Sequence, residues 1–199
     1  VFIRRGEDYV FLRLAADQNH PIGSQAEFDA FLETHASKQD SFRVLFYGMR
    51  ESLQKNNPTG WLALSPIYSE MELFLKQVKD HDSIYIVTTK DLHSVQLILN
   101  SRGIQLPVEH MFQATKSYRK PDILKEILNL ENLEPQELHF IDDHPATVAE
   151  VVDHTEVPAY CAAWGYNTSA QLSTLKTRSL QVLNLEQFQE FLKTLGLVD

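Results

Sequence analysis

Apolar positions along the chain fall into two textures. Through about Leu64 they recur at helical spacing; from about Ser65 onward short apolar runs alternate with helical stretches. In the first region Tyr9 to Ala16 reads as a helix. Ser24-Gln25-Ala26-Glu27 has capping-box spacing, in which the serine oxygen takes an orphan backbone N–H and the glutamate reaches back. Phe28, Phe31 and Leu32 follow at helical spacing. Phe42, Leu45, Phe46, Met49 and Leu53 form a second stripe with a period of about 3.6 residues. Such a stripe is expected in a core, the sharper alternative being a substrate-facing surface. Asn56-Asn57-Pro58-Thr59-Gly60 predicts a break.

The second region opens at Ser65-Pro66, a helix start with proline at the first helical position. Met71, Phe74, Leu75 and Val78 give that helix its buried face. Ser83 to Val87 is a short run rich in β-branched residues and reads as a buried parallel strand. Asp91 to Arg102 predicts a helix stopped by Gly103. Pro121 to Leu130 is a further helix, Leu138 to Ile141 a strand, and Pro145 to Asp153 a helix. Ala159 to Ala163 and Leu180 to Leu183 follow as strands, and Leu185 to Leu195 is an amphipathic helix. Strands alternating with helices of about 10–15 residues imply an α/β fold with a doubly wound parallel sheet. The expected division is a helical region over 1–64 and an α/β core over 65–199.

Composition narrows the partners. The 199 residues carry a formal net charge of −9, which argues against duplex nucleic acid or an anionic membrane as the main partner. A small phosphorylated metabolite stays compatible, because one lysine and a divalent cation can invert the local field. No apolar run approaches the roughly 20 residues of a membrane helix. The single cysteine, Cys161, forbids an internal disulfide and fits a reducing, cytoplasmic compartment.

In an open parallel sheet, ligands bind outside the carboxyl ends of the strands. Thr88-Thr89-Lys90 follows the first strand of the second region, Lys120-Pro121 opens a helix, and Asp142-Asp143-His144 follows a later strand. Adjacent carboxylates raise each other's pKa unless a cation neutralises them, and Mg²⁺ is a hard cation suited to that task. The plainer reading makes one of the two aspartates the N-cap of the helix at Pro145. Thr88 can likewise cap a helix, and Lys120 can be a solvated charge. His144, Lys90, Arg119, Arg4 and Arg5 are secondary candidates for meeting an anion or metal, with surface roles as the simpler alternative. No Gly-x-Ser-x-Gly elbow supports Ser-His-Asp catalysis, and no Cys and His spacing suggests zinc.

Taken in order, Ile86-Val87-Thr88-Thr89-Lys90, Lys120-Pro121 and Phe140-Ile141-Asp142-Asp143 resemble motifs two, three and four of the haloacid dehalogenase superfamily. Ala163-Trp164-Gly165-Tyr166 resembles a turn common in its phosphoglycolate phosphatase-like branch. Thr89 departs from the asparagine more often found there. The resemblance covers roughly Ser65 to Leu195. It implies a Rossmannoid core with a small helical cap and a Mg²⁺-dependent phosphatase-type hydrolase. An aspartate of the first motif would attack phosphorus and form an aspartyl-phosphate, and a second aspartate two residues later would serve as general acid and base. Thr88, with Thr89, would bind the phosphoryl group. Lys120 would neutralise charge, and Asp142 and Asp143 would hold the metal. That division suits phosphoryl transfer, in which positioning and charge stabilisation carry most of the catalysis.

The first motif, an apolar strand followed by Asp-x-Asp, has no match. Asp80-His81-Asp82 is the only Asp-x-Asp in the chain, and it precedes a strand; it reads as a turn between helix and strand. The first core strand and its nucleophile are therefore expected upstream of Val1, with the strand lying between those that end in Thr88 and Asp142. The alternative is a catalytically inactive phosphate- and metal-binding module. A receiver-like signalling domain also pairs acids with a lysine, but its acids come early and its lysine late, the reverse of the order here.

Overall fold

The computed structural model describes residues 3, 5–78 and 82–198. The chain divides into two units, Val1–Pro66 and Ile67–Asp199.

The first unit is helical, with α1 (Gly6–Asp17), α2 (Gln25–Thr34), α3 (Gln39–Asn56) and α4 (Pro58–Ala63). Its core is Phe11, Ala15, Phe28 and Phe31, against which Leu12, Leu32 and Phe42 pack. Ser24 caps α2 by accepting the Glu27 N–H at 3.2 Å. Glu27 reaches back one residue further than the capping box requires, to the Gly23 N–H at 2.6 Å. The apolar stripe of α3 divides. Phe42 lies on Phe11 with ring centroids 4.8 Å apart, whereas Leu45 and Met49 are 48% and 66% exposed. The expectation of a wholly core-facing stripe thus fails: Phe42 and Phe46 meet Phe11 and Tyr9 of α1, while Leu45 and Met49 stay exposed. Phe46 crosses Gly6 so closely that a Cβ there would lie 2.3 Å from the ring. The break at Asn56–Gly60 both ends α3 and starts α4. Asn57 accepts the Gly60 N–H at 2.9 Å, and Pro58 takes the first helical position, where no N–H is needed.

The second unit alternates α5 (Ser69–Val78), β1 (Ile86–Thr88), α6 (Leu92–Ser101), β2 (Met111–Gln113), α7 (Lys120–Glu131), β3 (Phe140–Asp142), α8 (Pro145–His154), β4 (Ala159–Ala162), α9 (Ser169–Thr177), β5 (Gln181–Leu183) and α10 (Leu185–Thr194). The fold is mixed α/β with short parallel strands. β1 pairs with β2, with Ile86 opposite Met111 and Thr88 opposite Gln113. β3, β4 and β5 form a second sheet in that order, with Asp142 opposite Cys161 and Ala162 opposite Leu183. Among the described residues β1 pairs with β2 alone and β3 with β4 alone.

Helices cover these strands on two sides. Ile123, Leu124 and Ile127 of α7 and Val148 and Val151 of α8 form one core with Phe140, Ala159 and Cys161, and Val87 and Phe112 pack against it. Ile86 instead packs with Val95 and Leu99 of α6, Met111 and Leu75. Successive strand residues turning to opposite cores is the period-two signature of a strand buried on both faces. Phe191 of α10 packs on Tyr160 with the rings tilted and meets His139 edge-on, with centroids 4.8 and 5.2 Å away.

Several boundaries differ from expectation. Residues 65–68 are not helical, and α5 begins at Ser69; Ile67 is drawn into the α6 core group, which extends the chain ahead of the helix. β1 is three residues long, not five. β2 and α9 were not foreseen. Gly103 does stop α6: it sits at φ +70°, and the Ile104 N–H behind it bonds the Leu99 carbonyl at 3.0 Å.

Candidate functional site

Lys120 is the first residue of α7, and Asp142 the last of β3. Their side chains form an ion pair across 22 residues of sequence. Both are largely withdrawn from solvent, 16% exposed for the lysine and 8% for the carboxylate. The lysine also stands 5.9 Å from the Phe140 ring centroid, in cation–π range. A buried pair of this kind holds together only when its remaining oxygens are satisfied. The second Asp142 oxygen is so satisfied: it accepts the His144 N–H at 2.8 Å.

The N-cap of α8 is His144, not either aspartate. Its Nδ1 accepts the Thr147 N–H at 3.3 Å. The plain reading of the acidic pair as a helix cap therefore fails, and Asp142 shapes the turn into α8 from two residues before the cap. Asp143 faces another way, with its Oδ2 accepting the Tyr166 N–H at 2.8 Å.

Thr88 ends β1. Its hydroxyl accepts the Lys90 N–H at 3.0 Å, and its carbonyl accepts the Ala114 N–H at 2.7 Å. Thr89 is exposed beside it. The structure thus brings Lys120, Asp142 and Asp143 to one strand end and sets Thr88 and Thr89 at another. No hydrogen bond links Thr88 to Lys120 or Asp142. Arg119 is turned to Glu150 at 2.8 Å and Asp122 at 3.7 Å, an outward-facing cluster. Arg5 serves the start of α1, where its N–H bonds Asp8 at 3.1 Å; Arg4 lies outside the described residues. So do Asp80 and His81, while Asp82 is an exposed turn residue.

Two features escaped sequence reasoning. Glu7 and Asp8 are buried at the start of α1, 3% and 0% exposed, and nothing in their sequence context marks them as inward-facing. The other is Cys161, whose position opposite Asp142 was not foreseen. Burial, with the Asp142 and Asp143 charges behind it, pushes its thiol up to about 11. A thiol so protonated is a packing group rather than a nucleophile.

A hard divalent cation asks for carboxylate oxygens at a place already built to hold positive charge. Asp142 offers such oxygens, each already partnered, one by the Lys120 ammonium and the other by the His144 N–H. Asp143 has one oxygen already taken by the Tyr166 turn. Among the described residues no three His, Cys, Asp or Glu side chains gather about one point, so a complete ligand shell is not formed by these residues alone. No described helix is long and apolar enough to cross a membrane. No family model, curated protein or solved structure matches the chain.

Proposed function

We propose that the second unit carries the charge-handling part of a haloacid dehalogenase-like phosphohydrolase that acts on a small phosphate ester. The observation that supports this most directly is the Lys120–Asp142 ion pair, which joins two of the three resembling motifs at the carboxyl end of a parallel strand. In this reading Thr88 and Thr89 hold phosphoryl oxygens, and Lys120 neutralises charge as phosphorus is attacked. Asp142 holds Mg²⁺, which when bound supplies further stabilisation of the phosphoryl charge. The attacking carboxylate belongs to a strand between β1 and β3 that these residues do not include. Among the described residues each of these two strands has a single ladder, which is consistent with such a neighbour. The doubly wound core, with the helical unit as its cap, is part of the same proposal.

A second reading is a phosphate-binding module without turnover. Lys120 already neutralises Asp142, an arrangement that would also serve recognition alone. The two are separated by assaying the natural full-length protein with Mg²⁺ on a panel of phosphate monoesters, beside Asp142→Asn and Lys120→Met. The enzyme reading expects hydrolysis that falls roughly 10²-fold or more in each variant, the scale of losing one charge-stabilising group. Phosphate binding without hydrolysis supports the module, and the absence of both sinks the two readings together.

A further inference from the structure

We infer that Asp143 is a positioning residue, a latch that holds the turn of residues 163–167 against the carboxyl end of β3 and leaves Asp142 as the carboxylate of the pair that handles charge. Five contacts meet at this turn. The Asp143 carboxylate accepts the Tyr166 N–H at 2.8 Å. The Asn167 side-chain amide donates to the Asp143 carbonyl at 3.1 Å and to the Ala162 carbonyl at 2.8 Å, tying the ends of β3 and β4 to each other. Gly165 passes so close that a Cβ on it would lie 2.1 Å from the Asp143 Cβ, a contact that flexing a side chain cannot relieve. Trp164 completes the anchorage by packing on Phe188 of α10, with centroids 5.3 Å apart.

The arrangement gives the two aspartates different work. Asp142 spends its oxygens on Lys120 and the His144 N–H, both at its own strand end. Asp143 spends one on the backbone of a segment 23 residues further along the chain. A backbone N–H needs only an oxygen acceptor, whereas a hard cation needs the carboxylate's negative charge. Asparagine at 143 therefore keeps the latch and forfeits most of any metal role. The latch stands on geometry alone; only the assignment of the site's cation to Asp142 rests on the function proposed above.

The turn carries its own reporter. Trp164 and Trp61 are the two tryptophans of the chain, and Trp61 is buried in the helical unit. Fluorine NMR of the fluorotryptophan-labelled protein, with Trp61→Phe for assignment, gives one resonance for the turn and one internal control. Asp143→Ala and Gly165→Ala are each expected to move and broaden the Trp164 resonance while that of Trp61 stays in place. Asp143→Asn is expected to leave both resonances unchanged, and adding Asp143→Ala to Gly165→Ala should move Trp164 little further, since both break one contact. The latch is overturned if Asp143→Ala leaves Trp164 where it was, or if asparagine disturbs it as much as alanine. It is also overturned if a Mg²⁺ titration shifts Trp164 in the wild type, is lost in Asp143→Asn and persists in Asp142→Asn. Latch variants behaving as expected in a protein that does not respond to Mg²⁺ support the latch and count against the metal-dependent reading.

Discussion

β4 and β1 are both short, parallel and flanked by helices, yet they are held differently. β4 has a ladder on each side, and all four of its residues are buried. β1 has one described ladder, and its three residues are half-buried despite an Ile-Val sequence suited to an interior. β3 stands between: one ladder, with Phe140 buried and Ile141 and Asp142 half-buried. The candidate chemistry follows this gradient. Thr88 and Asp142 end the singly paired strands, while the doubly paired strand offers Cys161, held as a protonated packing group. Polar side chains that must meet a ligand tolerate the less enclosed strands; the fully laddered one is given to packing.

The contrast can be broken by mutation. Phe140→Ala empties a site shared by α7, α8 and β4 and should cost about 3–5 kcal/mol. Ile86→Ala, on a half-buried strand, should cost about half as much. Equal costs in denaturant titration would erase the difference in enclosure.

Lys120→Met strands the Asp142 carboxylate in a largely desolvated place, with an expected loss of about 2–4 kcal/mol. Adding Asp142→Asn should recover part of it. A simple sum of the two single costs would mean that the charges do not depend on each other.

A smaller effect is set by pH. Burial beneath α10 lowers the His139 pKa from its ordinary 6.5. The folded state therefore binds fewer protons than the unfolded one just below that value. Stability is unaffected by this group above pH 6.5 and falls as the pH drops through 6.5 toward the lower folded value. His139→Phe, which keeps the ring contact with Phe191, should flatten that part of the stability profile; an unchanged slope would assign it to other groups.

The smallest expected effect concerns Cys161. At pH 8 its thiol should react with an alkylating reagent only through opening of the unit, so that the reaction is far slower than in the unfolded chain and denaturant accelerates it. Rapid labelling of the folded protein would show β4 to be less enclosed than its burial indicates.

Much of this was legible in advance, for reasons that differ by element. Ser24, Pro58 and Gly103 carry local signals, because caps and left-handed stops depend on a few adjacent atoms. β3 and β4 were readable from apolar runs buried on both faces. β2 was not: Met111-Phe112-Gln113 has neither length nor β-branching, and its strand character comes from the partner β1 supplies. α9 carries a local signal in the Thr168-to-Gln171 capping box. At the site, Asp142 and Lys120 could be singled out as charges beside a strand end and a helix start. Their direct contact could not, since it depends on how α7 lies on β3. The turn of Asp143 toward Tyr166 is likewise a tertiary fact with no trace in either segment.

Every described ladder in the α/β unit is parallel, so each strand must wait for an intervening helix before it finds its neighbour: Ile86 for Met111, Phe140 for Ala159, Tyr160 for Gln181. Among the described residues no hairpin is available to nucleate either sheet. The helices of the first unit take their backbone hydrogen bonds from residues a turn away, although the packing of α1 on α3 joins residues as distant in sequence as Phe11 and Phe42. Refolding should therefore show two phases, the fast one belonging to the helical unit and the slow one to the search for parallel register.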